Sequence, residues 1–213
     1  MATICPTVTA EDPHGYRSQV ERISGFAERI HIDFMDGLFA PNRSIGLEQA
    51  WLPDIPGLQV DFHMMYMRPD LYLEQVIMFR PKLVIIPAEA KGDFMNFADE
   101  LHSEGVSVGV ALLQSTAVDK IIPALDVIDH VLIFSGDLGH FGGKADLNQL
   151  SKARELRKLK PSLELGWDGG INGQNVIQLT EGGIDVLNVG GFIQKAENPQ
   201  DAYDKLKAMV GKS

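Results

Sequence analysis

The feature that most constrains the fold is a regular alternation of two kinds of segment along the chain. Short β-branched or apolar runs occur eight times, and each is followed by turn residues and a longer amphipathic segment. This order is typical of a parallel sheet whose strands are joined by helices. The predicted strands span residues 3–7, 28–33, 59–64, 83–87, 106–112, 130–134, 163–167 and 186–189.

Between these runs, apolar residues at spacings of three and four predict the helices. The clearest patterns cover residues 16–26, 70–79, 94–103, 146–158, 175–181 and 199–209. Helical patterns around Leu47 and Val118 are weaker. Because no long linker or low-complexity tract interrupts the eight units, we expect one α/β domain over residues 1–213. We expect this domain to be a closed (β/α)8 TIM barrel and not an open doubly wound sheet.

Composition restricts the classes of partner. The 213 residues are 45% hydrophobic and carry a formal net charge of −10, which argues against a surface that binds nucleic acid or anionic lipid. A local basic pocket could still hold one phosphate, so we expect small ligands. The single cysteine, Cys5, cannot form an internal disulfide, and the first residues do not resemble a signal peptide. We expect a cytoplasmic protein with no membrane partner.

Polar residues at the ends of three predicted strands form a candidate metal site. His31 and Asp33 end the second strand, His63 ends the third and Asp168 follows the seventh. In a barrel, these positions face one mouth at the C-terminal ends of the strands. Two imidazoles and two carboxylates suit Zn²⁺, Fe²⁺, Mn²⁺ or Co²⁺ better than Mg²⁺ or Ca²⁺. We therefore predict one divalent metal ion, whose identity the ligand types leave open.

The same carboxylates indicate acid/base chemistry. A metal that binds a substrate carbonyl and a neighbouring hydroxyl stabilises the enediolate formed when the adjacent carbon loses its proton. Asp33 and Asp168 come from strands far apart, so they could act on opposite faces of this intermediate and invert the carbon. Asp36 is a competitor, but its odd offset from Asp33 predicts a cap or turn role.

Glycine pairs predict a phosphate site near the same mouth. Gly169–Gly170 and Gly190–Gly191 follow the seventh and eighth predicted strands, and a short helix is predicted at residues 192–193. In such barrels these loops hold phosphate through backbone N–H groups, and glycine allows the close approach. Gly142–Gly143, after the sixth strand, is expected to close the pocket.

Two further groups of residues carry weaker signals. Met35 and either Met64 or Met65 are predicted to line the mouth as an apolar wall around an enediolate. His140, in the glycine-rich loop after the sixth strand, is ambiguous. Three other histidines are predicted to lie at the surface or at helix boundaries: His14, His102 and His130.

These residues resemble the ribulose-phosphate 3-epimerase family, and the resemblance covers nearly the whole chain. It is carried by HIDFMDGLFAPN at residues 31–42, DFHMMYMRP at 61–69, FGGK at 141–144, WDGGIN at 167–172 and GIDVLNVGGFI at 183–193. The resemblance implies a TIM barrel with a ribulose-phosphate-binding-type phosphate site. It also implies a homo-oligomeric enzyme of the pentose phosphate pathway that interconverts D-ribulose 5-phosphate and D-xylulose 5-phosphate.

Site residues follow from the same resemblance. It implies that His31, Asp33, His63 and Asp168 hold one divalent metal and that the two aspartates are the acid/base pair. Met35 and Met65 would flank the intermediate, and Thr7 stands where the family has a substrate-contacting serine. The substrate contacts predicted in all are Thr7, Met35, Met65, Gly139, Gly142, Gly143, Gly169, Gly170, Gly190 and Gly191.

The chain departs from the family pattern on loops that contact the substrate. Phe134 replaces a methionine, Leu138 replaces a proline in a loop that is one residue longer, and Gly191 replaces a serine. Leu38 replaces a histidine, and residues 113–114 replace an Asn-Pro pair. The reaction type is therefore better defined by the sequence than the substrate.

Three other functions are alternatives to a pentose-phosphate epimerase. The altered loop after the sixth strand would permit a hexulose phosphate such as D-allulose 6-phosphate as the substrate. Decarboxylases and hexulose-phosphate synthases on related barrels carry Asp-x-Lys-x-x-Asp at the third strand, whereas residues 61–66 read DFHMMY, so this class is set aside. A sugar-phosphate-binding barrel without turnover would not need the complete set of ligands and acid/base groups.

Overall fold

A closed parallel barrel forms the centre of the protein. The computed structural model describes residues 2–139 and 143–211. Its eight strands pair in chain order, and β8 closes the barrel against β1. The strands are β1 (Thr3–Val8), β2 (Arg29–Met35), β3 (Gln59–Met65), β4 (Leu83–Pro87), β5 (Ser107–Leu112), β6 (His130–Phe134), β7 (Glu164–Asp168) and β8 (Val186–Val189). The predicted (β/α)8 barrel is confirmed, and every predicted strand boundary lies within two residues of the observed one.

Helices surround the barrel. They are α1 (Pro13–Ser24), α2 (Leu73–Phe79), α3 (Phe94–Ser103), α4 (Leu150–Leu159), α5 (Val176–Glu181), α6 (Gly191–Gln194) and α7 (Pro199–Val210). Short 3₁₀ helices cover Leu47–Gln49, Pro69–Tyr72, Val118–Val127 and Leu147–Gln149. Within the described ranges, no helix is long and apolar enough to cross a membrane.

Local signals explain where the helices begin and why one connection is irregular. The carboxylate of Asp12 accepts hydrogen bonds from the N–H groups of His14 and Gly15, and Pro13 occupies the first helical position of α1. The weak pattern around Val118 corresponds to the 3₁₀ helix Val118–Val127, which contains Pro123. Proline has no N–H to donate, so it disfavours a regular α-helix there.

Alternation along the strands separates the helix-facing core from the barrel interior. In β6, Val131 and Ile133 pack in the large core beneath the helices, whereas Leu132 packs inside the barrel with Ile85 and Ala111. The same alternation in β2 directs Ile30, Ile32 and Phe34 to the helix-facing core. The polar residues between them, His31 and Asp33, therefore face the interior.

A second group of ionisable side chains, three of them buried, lies towards the N-terminal ends of the strands. We call Arg29, Asp61, His130 and Glu164 the base cluster. Arg29 Nε lies 2.6 Å from Asp61 Oδ2, its Nη1 lies 2.9 Å from Glu164 Oε1, and His130 Nδ1 lies 2.7 Å from Glu164 Oε2.

The predicted position of His130 is wrong. Instead of lying at the surface or a helix boundary, it is only 1% exposed and begins β6 with its side chain inside the barrel. Gly166 leaves room for the ring, because a Cβ at that position would overlap His130 Nε2. Side chains alternate along β6, so His130 points into the barrel as Leu132 does, and Glu164 on the next strand is its hydrogen-bonding partner.

Candidate active site

Four polar side chains converge at the C-terminal ends of β2, β3 and β7. We call His31, Asp33, His63 and Asp168 the mouth cluster. One ligand atom from each lies within 4.8 Å of the others. His31 Nε2 and His63 Nδ1 lie 3.2 Å and 3.0 Å from the same oxygen, Asp33 Oδ1. The four residues that the strand pattern selected are thus brought together in space.

Thr9 fixes the orientation of Asp33. Its hydroxyl donates a 2.6 Å hydrogen bond to Asp33 Oδ2, while Oδ1 faces the two imidazoles. Thr9 follows β1 and is not among the predicted site residues. A threonine after a strand is too common for its position alone to mark a functional contact.

The two carboxylates have opposite protonation tendencies. Burial alone would raise the pKa of Asp33, but its hydrogen bonds with His31 and His63 outweigh this and hold the pKa well below its usual range. Burial raises the pKa of Asp168, and the negative charge of Asp33 raises it further. One carboxylate therefore favours the ionised form and the other favours the protonated form.

The donor set of the mouth cluster fits a divalent cation. Imidazole nitrogens and carboxylate oxygens are ligands that Zn²⁺, Fe²⁺, Mn²⁺ and Co²⁺ accept. Burial lowers the pKa of His63, which favours the neutral imidazole that metals bind. At His31 the effect of burial is outweighed by the hydrogen bond with Asp33, and the pKa is raised. Burial and the negative charge of Asp33 raise the pKa of Asp168, and a cation between the two carboxylates would offset the repulsion. The identity of the cation does not follow from these residues.

The mouth cluster opens into a cavity of about 310 Å³. Asp33 and Asp168 both line it, together with apolar side chains from three strands: Met35, Met65 and Phe134. The predicted contacts Thr7, Gly139, Gly143, Gly169, Gly170, Gly190 and Gly191 also line this cavity. The predicted contact Gly142 lies outside the described residues, as does the ambiguous His140.

Asp36 has the predicted turn role. Its Oδ1 accepts hydrogen bonds from the N–H groups of Leu38 and Phe39, and its Oδ2 accepts one from the N–H of Met67. These bonds tie the loop after β2 to the loop after β3. Both carboxylate oxygens thus accept hydrogen bonds from backbone N–H groups, so Asp36 has a structural role and is not an acid/base candidate.

The two glycine pairs differ in how closely other parts of the backbone approach them. Gly169 and Gly170 have φ values of 110° and 71°, and a Cβ at either position would collide with the backbone of the loop after β6. At Gly190 and Gly191, a Cβ would meet nothing closer than 3.7 Å and 3.9 Å. The first pair is needed for the backbone to pack, whereas the second leaves open space beside the cavity.

Polar residues outside the predicted set also line the cavity. Asn188 lies in β8, and Lys195 follows α6 with its Cε 3.9 Å from the position that a Cβ of Gly191 would occupy. The segment around Asn188 reads as a buried strand, so the signal for Asn188 was the one polar residue in an otherwise apolar run.

The barrel and the position of its polar cluster have the architecture of a TIM-barrel enzyme, in which the site lies at the C-terminal ends of the strands. A family model described as "Ribulose-phosphate 3 epimerase family" matches residues 3–194. The chain therefore belongs to the ribulose-phosphate 3-epimerase family.

Individual relatives agree with this assignment. The ribulose-phosphate 3-epimerase of Mycobacterium tuberculosis is 29% identical, covering 98% of this chain and 93% of the relative. That of Mycobacterium leprae is 31% identical, covering 98% and 95%. Among solved structures, 3-hexulose-6-phosphate synthase from Salmonella typhimurium has a TM-score of 0.75 at 14% identity and covers 99% of each chain. This last likeness shows the shared fold alone.

Proposed function

We propose that this protein epimerises carbon 3 of a ketose phosphate and interconverts D-ribulose 5-phosphate and D-xylulose 5-phosphate. The observation that carries the proposal is the pair Asp33 and Asp168, which come from β2 and β7 and line one cavity. A proton transfer across a planar intermediate needs one group in its basic form and another in its acidic form. Family membership supports the same reaction.

Asp33 and Asp168 would have different roles in proton transfer. Asp33, held ionised by His31 and His63 and oriented by Thr9, would accept a proton from one face of the substrate. Asp168 would donate from the other face, and the roles reverse in the reverse reaction. A divalent cation bound by the mouth cluster would supply positive charge that stabilises the enediolate.

Apolar side chains would keep water from the reacting carbon. Met35 and Met65 are 5% and 4% exposed and pack together beside the cavity, and the ring of Phe134 lies 6.3 Å from that of His63. Excluding water strengthens electrostatic interactions within the site and protects a reactive intermediate. Phe134 would take the place of the family's third methionine in this wall.

The phosphate would bind beside Gly190 and Gly191. No other part of the protein fills the space beside these glycines, so a phosphate could approach their backbone N–H groups closely. Lys195 is exposed at the cavity wall and would add a positive charge. This combination would compensate for the serine hydroxyl that is absent at Gly191.

A panel of ketose phosphates tests the proposal. We expect the metal-loaded enzyme to convert D-ribulose 5-phosphate to its C3 epimer with a kcat/KM at least about 10-fold above that for D-allulose 6-phosphate. Proton NMR of the products identifies the inverted carbon. A preference for D-allulose 6-phosphate would assign the hexulose alternative, which the longer loop with Phe134 would allow. Binding without inversion of any substrate would contradict the epimerase proposal.

A further inference from the structure

One buried polar side chain in the cavity has no role in this scheme. Asn188 is 2% exposed and lines the cavity from the inner face of β8. In the barrel register it lies opposite Asp168 of β7. Its side chain therefore lies on the strand next to that of Asp168, one of the acid/base pair.

The amide of Asn188 has no hydrogen-bonding partner among the described residues. Both Oδ1 and Nδ2 are buried and unpartnered. Of the buried side-chain amides in residues 2–139 and 143–211, only this one lacks a partner at both atoms. Burying an amide in this way is unfavourable, and a valine would fill the strand position without that cost. The residues on either side in β8, Leu187 and Val189, are apolar. An amide here is explained if a ligand completes its hydrogen bonds.

The position of Asn188 indicates which part of the ligand it contacts. Asp168, in register with it, faces the reacting carbon in the proposed function, on which this inference rests. Gly190, two residues further along β8, begins the proposed phosphate site. The amide therefore lies beside the part of the sugar between the reacting carbon and the phosphate. In a ketopentose 5-phosphate this part is carbon 4.

We propose that Asn188 recognises the C4 hydroxyl of the substrate and is a specificity-determining residue. The side-chain amide of asparagine has an oxygen that accepts hydrogen bonds and an NH₂ group that donates them. A hydroxyl both donates and accepts, so it can bond with either group. A site built to bond a hydroxyl discriminates against an analogue that lacks it, because the buried protein groups are then left without partners.

Equilibrium binding tests this role without turnover. The ligands are arabinitol 5-phosphate, which has no carbonyl to react, and its 4-deoxy analogue, each titrated calorimetrically into the metal-loaded protein. We expect the wild-type protein to bind the 4-deoxy compound at least about 10-fold more weakly. Asn188→Val should reduce this ratio to less than about 3-fold, and its unfolding midpoint should equal or exceed that of the wild type.

Val189→Ala is the matched control, because Val189 is fully buried in the same strand but does not line the cavity. It should lower the unfolding midpoint and leave the discrimination between the two ligands unchanged. If Asn188→Val keeps the wild-type ratio, or if the wild type binds neither compound, the inference is overturned. A protein that binds both with the expected ratio but does not invert ketose phosphates would refute the proposed function and retain the hydroxyl contact.

Discussion

The barrel buries two clusters of ionisable side chains, and they differ in how their charges are compensated. The base cluster contains a permanent cation, Arg29, whose guanidinium lies between Asp61 and Glu164. The mouth cluster contains two carboxylates, and its only possible cations are imidazoles. The base cluster thus carries its own permanent counter-charge, whereas the mouth cluster has none among its four residues and its donor set suits a divalent cation.

The pKa shifts do not divide the two clusters in the same way. Each cluster holds one carboxyl whose pKa is lowered, Glu164 or Asp33, and one whose pKa burial raises, Asp61 or Asp168. Burial alone would raise the pKa of Glu164, but its hydrogen bonds with His130 and Arg29 hold it well below the usual range. At Asp168, burial and the charge of Asp33 act in the same direction and raise the pKa. What distinguishes the clusters is access to a ligand. Asp33 and Asp168 line the cavity, whereas Arg29, Asp61, His130 and Glu164 do not. A carboxyl with a raised pKa that lines a cavity, as Asp168 does, is typical of acid/base chemistry.

Removing one carboxylate of the mouth cluster should have the largest effect. We expect Asp33→Asn to lower kcat by about 10²- to 10⁴-fold, because the group that accepts a proton is lost. Initial rates and circular dichroism measure activity and fold. Asp12→Asn is the matched control and should keep wild-type rates, since asparagine caps α1 as well as aspartate does. An Asp33→Asn enzyme with more than a tenth of wild-type activity would contradict the role.

Removing the cation of the base cluster should affect stability instead. Arg29→Met leaves Asp61 buried without its charged partner, and we expect unfolding free energy to fall by about 3–5 kcal/mol. Denaturant titration measures this change. Arg68→Met, which breaks the exposed pair with Asp70, should have a much smaller effect. If the two variants were equally stable, the base cluster would not have the structural role assigned to it.

Metal should stabilise the protein through the mouth cluster alone. At a free Zn²⁺ or Co²⁺ concentration of about 100 times Kd, we expect a gain of about 2.7 kcal/mol, measured as a rise in Tm. His63→Ala should remove most of this gain, because a predicted ligand is lost. His102→Ala, which removes a histidine paired with Asp129 outside the barrel interior, should keep it. An equal metal response in both variants would place the metal elsewhere.

The smallest effect should appear in the pH dependence of the metal-free protein. Because the pKa of Asp168 is raised on folding, wild-type stability is lost as pH rises from about 4, the unfolded value, through the folded value. Asp168→Asn lacks this titration. We therefore expect its Tm to exceed that of the wild type by more at pH 8 than at pH 5, in the presence of chelator. A difference in Tm between the two proteins that is the same at both pH values would contradict the raised pKa of Asp168.

The strands and the mouth cluster were predictable because they rest on strong local patterns. Each strand is an apolar run, and the period of two in β2 places His31 and Asp33 on one face whatever the surrounding structure is. Asp36 was also predictable, since an aspartate followed by glycine in a loop suits a turn.

Other contacts depend on distant parts of the chain and could not be predicted. The inward position of His130 requires the space that Gly166 leaves on the next strand. Thr9 reaches Asp33 from the end of a different strand. Lys195 lies one helical turn after Gly191, but only the closed barrel brings this turn to the cavity. The difference between the two glycine pairs also depends on which backbone each pair approaches, which the sequence does not show.

The transfer of solvent deuterium tests the central claim most directly. When D-ribulose 5-phosphate is converted in deuterated water and analysed by NMR at low conversion, a proton removed by one aspartate and replaced by the other gives a product labelled at C3. We predict nearly complete deuterium at C3 of the first product molecules, and no labelled product with Asp168→Asn. A product that keeps the original C3 hydrogen would contradict the account, because one group would then have carried the proton across the intermediate.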